Sequence, residues 1–250
     1  MEAKTELRTS VPLPLAGTGN TRDLGGYPAG DGQITTFGRF YRSDALGRLT
    51  QADRDELLRR GLGCVVDLRS DAEVQASPPA LGGAQGVDYH HFPLMDGAAS
   101  QNFGGVLPES MTQVYRALLS DSGRTFAAVM DTLAQYSDKA CLFHCTAGKD
   151  RTGLVAMFLL SLAGVPRAYI LADYAVSRRN MEAVFTRQRR EIREQTGVEL
   201  PDALFSSDPE HMEAAMDYLE EHDGSPRDYL LRRGAKEESL NALRRRLLAP

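Results

Sequence analysis

The chain has 250 residues, of which 42% are hydrophobic and 25% are charged, and its formal net charge is −5. This length and composition are typical of a globular protein that buries one sizeable core, so we predict a single domain at residues 20–250 after an arm at residues 1–19. The acidic balance argues against nucleic-acid partners, because a basic face supplies most of the affinity for a phosphate backbone.

Three cysteines, Cys64, Cys141 and Cys145, lie in or beside apolar runs. Their spacing is unlike that of a disulfide framework or of paired zinc ligands. We predict neither a metal nor another cofactor. The first residues carry no basic-then-apolar signal region, and the longest apolar run, 154–165, is too short to span a bilayer. These features predict a cytoplasmic protein without an integral membrane segment.

Strand and helix signals alternate along the first two thirds of the chain. The pattern predicts a hairpin over 27–41, a capping box at Thr50 and Asp53 opening a helix to Arg60, strands at 64–68 and 87–94, and helices at 109–120 and 125–136. Helices are predicted beyond Pro166, at 166–180, 182–195, 209–221, 226–232 and 237–248. The alternation predicts an α/β fold with a central, mostly parallel twisted sheet flanked by helices.

The stretch from His144 to Gly153 stands between a short apolar strand pattern and an apolar helix pattern. A glycine-containing turn that leads into a helix presents unpaired backbone N–H groups and partial positive charge, which together favour a phosphate. We therefore predict that the residues of this turn bind phosphate: Thr146, Ala147, Gly148, Lys149, Asp150 and Arg151.

Cys145 and Arg151 are placed to act on one phosphoryl group. A thiol aimed at helix N–H dipoles and near a guanidinium is expected to be a thiolate at neutral pH. Arg151 can grip two oxygens with its planar fork. Thr152 is a candidate hydrogen-bond donor to the sulfur, and His144 is a candidate brace behind the loop. The alternative is a buried strand cysteine followed by a helix cap.

The pattern His-Cys-x-x-Gly-x-x-Arg-Thr-Gly resembles the signature of the cysteine-dependent protein tyrosine phosphatase superfamily. Together with Asn20-x-Arg22-Asp23-Leu24-Gly25-Gly26 and Asp67-Leu68-Arg69-Ser70, it is similar to the atypical bacterial tyrosine and lipid phosphatases. This resemblance implies catalysis through a phosphocysteine, a helical lid within residues 181–222, and a supporting role for Arg22 beneath the active site. It also implies that export without a cleavable signal is an alternative to a cytoplasmic location.

Two further supporting candidates end a strand. Asp67 and Arg69 follow the apolar run 64–66, and open α/β sheets place their sites at the carboxyl ends of strands. A plain ion pair between Asp67 and Arg69 is the alternative.

The proton donor is predicted among the carboxylates near the loop. Asp96 follows the strand pattern at 87–94 in a Gly- and Ser-rich loop, and we predict that it is the general acid. Asp150 lies between two cations that favour its ionised form, so we predict that it assists hydrolysis as a base.

The substrate is left open between phosphotyrosine proteins, with dual specificity, and phosphoinositides. Lys149 either neutralises Asp150 or contacts a second phosphate, and a lysine in this loop also occurs in phosphoinositide phosphatases. A dedicated phosphoinositide or inositol phosphate phosphatase and a non-catalytic phosphate-binding module remain as alternatives. Oxidative pairing of Cys145 with Cys64 or Cys141 is an alternative to inert buried thiols.

Overall fold

A computed structural model describes residues 10, 12–95, 108, 110–197, 199 and 201–249. These residues form one five-stranded sheet in the order β1-β2-β5-β3-β4. The strands are β1 (Arg22–Asp23), β2 (Phe40–Ser43), β3 (Leu62–Asp67), β4 (Asp88–His91) and β5 (Ala140–His144). Only the edge pair β1–β2 is antiparallel, and the other three pairs are parallel. The predicted α/β class with a mostly parallel sheet is confirmed.

Helices flank this sheet. In the described part of the chain they are α1 (Gln51–Arg59), α2 (Asp71–Ala76), α3 (Met111–Asp121), α4 (Gly123–Ala134), α5 (Asp150–Leu162), α6 (Arg167–Thr196), α7 (Pro209–Asp223), α8 (Pro226–Arg232) and α9 (Glu237–Leu248). None of these helices is both long enough and apolar enough to cross a bilayer.

Both faces of the sheet are covered, as the continuous apolar character of β3 predicts. On one face, Val66 and Phe143 belong to the larger core cluster, which also takes in side chains of α3, α4, α5 and α7 to α9. On the other face, Val65 and Leu142 pack with Leu57 of α1 in a smaller cluster. The sheet is therefore fixed from two sides.

The helix α5 lies inside the larger cluster. Eleven of its thirteen residues are buried, and the ring of Phe158 lies between those of Phe126 and Tyr229, with centroids 5.4 and 5.5 Å away. A helix that is apolar on nearly all sides must be buried. Its burial holds the N-terminus of α5 at the carboxyl end of β5.

Three elements differ from the prediction. The predicted hairpin reduces to one isolated bridge between Pro28 and Ile34, because the antiparallel partner of β2 is β1, which precedes Tyr27, and its other neighbour is β5. Residues 167–196 form one helix instead of two, since neither Gly nor Pro interrupts them before Gly197, whose φ is +69°. The short helix α2 was not predicted, although Ser70 and Glu73 form a capping box at its start.

The described part of the predicted arm packs on the sheet domain. Leu15 is buried in the smaller cluster. The N–H groups of Ala16 and Gly17 donate to the carboxylate of Asp53, at 2.8 and 2.9 Å. At the other end of the chain, the predicted lid comprises the second half of α6, a 3₁₀ helix at Asp202–Phe205 and most of α7.

Candidate active site

The loop 145–149 joins β5 to α5 at the carboxyl end of the sheet. Gly148 has a φ of +65°, and a Cβ on it would lie 2.5 Å from backbone atoms of Ser43, so a side chain does not fit there. Cys145 is buried at the beginning of this loop, with 2% of its surface exposed. The thiol therefore stands where a strand ends and a helix begins, the position at which backbone N–H groups bind anions.

The guanidinium of Arg151 is buried and is held by a residue that the sequence did not single out. Its Nη1 and Nη2 donate to the carboxylate of Glu73 at 2.6 and 2.8 Å. The same carboxylate accepts a hydrogen bond from the hydroxyl of Thr146. Glu73 thus links the arginine of the loop to the threonine next to Cys145.

The position of Glu73 follows from local sequence. Its Oε2 accepts the N–H of Ser70 at 2.8 Å, as N3 of a capping box, just after the carboxyl end of β3. Burial alone would oppose ionisation, but hydrogen bonds from Arg151 and its charge outweigh this and lower the pKa of Glu73 to about 2. The pattern Ser70-x-x-Glu73 indicates the capping box, but nothing in it indicates the contact with Arg151.

Asp150 is the first residue of α5, and its carboxylate is oriented by a buried tyrosine. The hydroxyl of Tyr115 donates to Oδ1 of Asp150 at 2.7 Å and lies 2.6 Å from the hydroxyl of Tyr174. Burial and the charge of Asp150 raise the pKa of Tyr115 well above its ordinary value, so the hydroxyl keeps its hydrogen. The carboxylate is 3.5 Å from Nζ of Lys149.

The ammonium of Lys149 lies 3.5 Å from the carboxylate of Asp150, as one of its two predicted roles requires, and its other contacts are with the predicted lid. Its Nζ donates to the backbone carbonyls of Leu204 and Ser206 at 2.7 and 2.8 Å, and 1% of the residue is exposed. It also lies 5.5 Å from the ring centre of Phe185. A buried ammonium needs acceptors, and the end of the 3₁₀ helix supplies carbonyls without helical partners. In this structure Lys149 therefore attaches the predicted lid to the loop.

His144, Asp67 and Arg69 form a buried brace behind Cys145. His144 Nδ1 lies 3.2 Å from the carbonyl of Cys145, and its Nε2 lies 3.6 Å from Asp67. Asp67 pairs with Arg69 at 2.7 Å. Burial lowers the pKa of His144 even though Asp67 opposes that shift, so the ring is neutral near pH 7. Since a carbonyl can only accept, Nδ1 carries the hydrogen.

Thr152 and Arg22 are both buried near the loop but differ in their hydrogen bonds. The hydroxyl of Thr152 is buried and has no hydrogen-bond partner among the residues described, so the predicted bond to the sulfur of Cys145 is not formed. Arg22 is buried under the loop, where it donates to Asp173 at 2.9 Å and to the side chain of Asn20 at 2.6 Å.

Asp96, the predicted general acid, lies outside the described residues. The two other cysteines lie at the opposite end of their strands, where Cys64 and Cys141 are in register. Cys145 is four residue steps along the strand direction from Cys141, about 13 Å, whereas a disulfide needs Cα atoms within about 7 Å. Neither thiol can therefore pair with Cys145 in this fold.

A groove of about 660 Å³ adjoins the loop at Thr146 and Glu73. Its walls come from residues 16–19, the region around Arg48, and α6 around Arg187. No group of three or more His, Cys, Asp or Glu side chains arranged to hold a metal ion occurs in the part of the chain that the structure describes.

A thiol at the end of a parallel strand, a helix N-terminus and a buried arginine lie together, an arrangement able to bind an anion beside a nucleophile. A family model described as "Tyrosine phosphatase family" matches residues 13–249. The chain therefore belongs to the tyrosine phosphatase family.

Two sequence relatives of the chain are named as phosphatases. A tyrosine-protein phosphatase of Nostoc commune is 42% identical over 145 residues, which cover 57% of this chain and 49% of that relative. The match thus spans about half the length of that relative. The triple specificity protein phosphatase PtpB of Mycobacterium tuberculosis is 29% identical over 277 aligned positions, covering 94% of this chain and 98% of the relative. Among solved structures, P. aeruginosa TpbA has a TM-score of 0.39 at 18% identity and covers 80% of this chain and 89% of its own.

Proposed function

We propose that the protein hydrolyses phosphomonoesters, phosphotyrosine among them, through a phosphocysteine on Cys145 and without a metal. The observation that carries this proposal is the placement of Cys145 at the end of β5, directly before the N-terminus of α5 and the buried Arg151. That arrangement provides a nucleophile, a set of N–H groups and a fixed cation for one tetrahedral dianion.

In the first step, the thiolate of Cys145 attacks phosphorus in line with the ester oxygen. The S–P bond forms, the P–O bond to the leaving group breaks, and a carboxylic acid gives its proton to the departing oxygen. Arg151 and the loop amides stabilise the charge on the three equatorial oxygens. Glu73 holds both terminal nitrogens of Arg151 and so fixes the orientation of the guanidinium plane.

In the second step, water attacks the phosphocysteine. The P–S bond breaks, the thiolate is restored, and the proton of the water passes to a carboxylate, which leaves inorganic phosphate. Asp150 is our candidate for this base, since the hydroxyl of Tyr115 holds it at the start of α5. Asp96 is our candidate for the acid of the first step.

The range of substrates is a further part of what we propose. The relative from Mycobacterium tuberculosis is named a triple specificity phosphatase, and we propose that this chain also accepts more than one class of phosphomonoester, phosphoinositides included. The groove beside Thr146 supports this range, because it offers room, the exposed Arg48 and the half-buried Arg187 for the remainder of an anionic substrate.

Steady-state hydrolysis by the wild type and by Cys145→Ser tests the proposal. A phosphotyrosine peptide and a phosphoinositide panel are offered with a chelator present. We expect turnover that the substitution abolishes and the chelator leaves unchanged. Retained turnover in Cys145→Ser would refute the phosphocysteine. Binding of tungstate without turnover of any substrate by the wild type would identify a phosphate-binding module instead.

A further inference from the structure

A buried charged cluster lies directly beneath the loop and has no part in the two chemical steps. Asp173 of α6 accepts hydrogen bonds from Arg22 at 2.9 Å, from Tyr27 at 3.0 Å and from Arg42 of β2. All three donors and the acceptor are at most 1% exposed. Removing two guanidinium groups from water costs free energy that one shared carboxylate offsets only in part. A functional role of the cluster would account for this arrangement.

The cluster reaches the loop through backbone carbonyl groups. Arg42 Nη2 donates to the carbonyl of Gly148 at 2.8 Å and approaches that of Lys149 at 3.4 Å. The amide of Asn20, itself held by Arg22, donates to the carbonyls of Ala147 and Gly148 at 3.0 and 3.2 Å. Three consecutive carbonyls of the loop are therefore bonded from below.

The two preceding carbonyls of the loop are bonded as well. The N–H of Ala45 donates to the carbonyl of Thr146 at 3.0 Å, and Nδ1 of His144 faces that of Cys145. Each carbonyl from 145 to 149 thus has a partner on the protein side of the loop.

This pattern determines where the amide hydrogens point. In a planar trans peptide, the N–H of one residue is directed opposite to the C=O of the residue before it, and no peptide bond of the described chain is cis. Carbonyls held on the protein side therefore turn the N–H groups of residues 146–150 to the open side. That is the side on which a phosphoryl group would lie.

We infer that Arg42, anchored by Asp173, and Asn20, held by Arg22, are positioning residues that set the direction of the amides binding the phosphoryl oxygens. The inference rests on the proposed function, and it extends that proposal to two residues that touch neither the substrate nor the sulfur. A lysine could not replace Arg42 here, because the guanidinium donates to the carboxylate of Asp173 through Nη1 and to the loop carbonyls through Nη2 at the same time.

Arg42→Lys tests the inference, with Arg246→Lys as the matched control. Arg246 is also a buried arginine that donates to backbone carbonyls, those of Leu133 and Lys139, but at the far end of the sheet. Three quantities are measured for each protein: the thermal midpoint, kcat and KM for an aryl phosphate, and the dissociation constant of tungstate by calorimetry. Tungstate mimics the tetrahedral anion and requires no turnover.

We expect Arg42→Lys to weaken tungstate binding and to lower kcat/KM by about tenfold each, since misdirected oxyanion donors cost this much or more. Arg246→Lys should lower the thermal midpoint by a similar amount and change neither binding nor turnover. Equal losses of tungstate affinity in the two variants would overturn the inference.

Asn20→Asp is the second variant, in case Arg42→Lys does not fold. It keeps the shape of the side chain and its contact with Arg22 but removes the N–H donors to Ala147 and Gly148. We expect the same parallel loss of tungstate affinity and of kcat/KM, and unchanged values would refute the inference. Absence of turnover in the wild type would count against the proposed function alone, because tungstate binding still reports on the loop.

Discussion

Glu73 shows how much one carboxylate can contribute to a site without touching the sulfur. It holds both terminal nitrogens of Arg151 and the hydroxyl of Thr146. Glu73→Gln removes the charge and one of the two acceptor oxygens. Hydrogen bonds to charged groups are worth about 1.5–3 kcal/mol, so we expect kcat/KM for an aryl phosphate to fall by about tenfold or more.

Glu56→Gln is the matched control, because Glu56 also pairs with an arginine, Arg60, but on the exposed side of α1. Its kcat/KM should stay within about twofold of the wild-type value, as for most surface substitutions. A rise of activity in Glu73→Gln would show that the carboxylate competes with the phosphoryl group and does not align its partner.

The roles of Asp96 and Asp150 can be separated by leaving group. A general acid matters only when the departing oxygen needs a proton. We expect Asp96→Asn to lower kcat by about 100-fold for an alkyl-substituted phenyl phosphate and far less for a nitrophenyl phosphate. Asp150→Asn should lower both by a similar factor. Equal losses with both substrates in Asp96→Asn would remove Asp96 from the role of acid.

At the scale of elements, Lys149 connects the loop to the 3₁₀ helix and to the segment that follows it. The ammonium of Lys149 donates to the carbonyls of Leu204 and Ser206, so we expect Lys149→Met to loosen residues 201–208. The ratio of phosphotyrosine to phosphoinositide turnover should stay within about twofold of the wild-type ratio. Limited proteolysis of this segment and the two assays measure the effects. The exposed Lys139→Met provides the control. A selective loss of phosphoinositide turnover would show instead that the ammonium meets the substrate.

Elements defined by contiguous signals could be predicted from the sequence. The turn from β5 into α5, the capping box at Thr50 and the helices α8 and α9 are encoded by neighbouring residues, and the structure has them where expected. The division of α6 was wrong because no residue before Gly197 ends it.

The partners of the loop could not be predicted, because they are brought together only by the sheet. Glu73 meets Arg151 across 78 positions of the chain, and Arg42 meets Asp173 across 131. In sequence, each of these residues resembles an ordinary charged residue of a helix or strand. The contact of Lys149 with the predicted lid was not predicted for a related reason, since the carbonyls that accept from its ammonium lie 55 and 57 residues further on.

For the whole molecule, the buried carboxylates predict how stability depends on pH. Although burial opposes it, the charges and hydrogen bonds of Arg22 and Arg42 lower the pKa of Asp173 to about 2, and Arg151 does the same for Glu73. A carboxyl group whose pKa is lower in the folded than in the unfolded protein stabilises the fold at pH values above its unfolded-state pKa. This stabilisation is lost as the pH falls through the folded-state pKa. We therefore expect the free energy of unfolding to decrease between about pH 4.5 and pH 2, by on the order of 2 kcal/mol for each group.

Urea unfolding at a series of pH values measures this decrease. Glu73→Gln should lose less free energy over the same interval, because one of the two titrating groups is gone. An identical decrease in both proteins would mean that Glu73 does not contribute to acid sensitivity.

The bonding beneath the loop also limits how far the chain could be shortened. The carbonyls of the loop depend on Asn20 at one end of the chain, and Arg42 depends on Asp173 well beyond the loop itself. A fragment built around the signature residues 144–153 would retain the nucleophile and the arginine but lose the groups that orient the backbone. The smallest fragment that keeps the groups bonded to the loop must run from Asn20 at least to Asp173. It must run to Ser206 if the contact of Lys149 is to be kept.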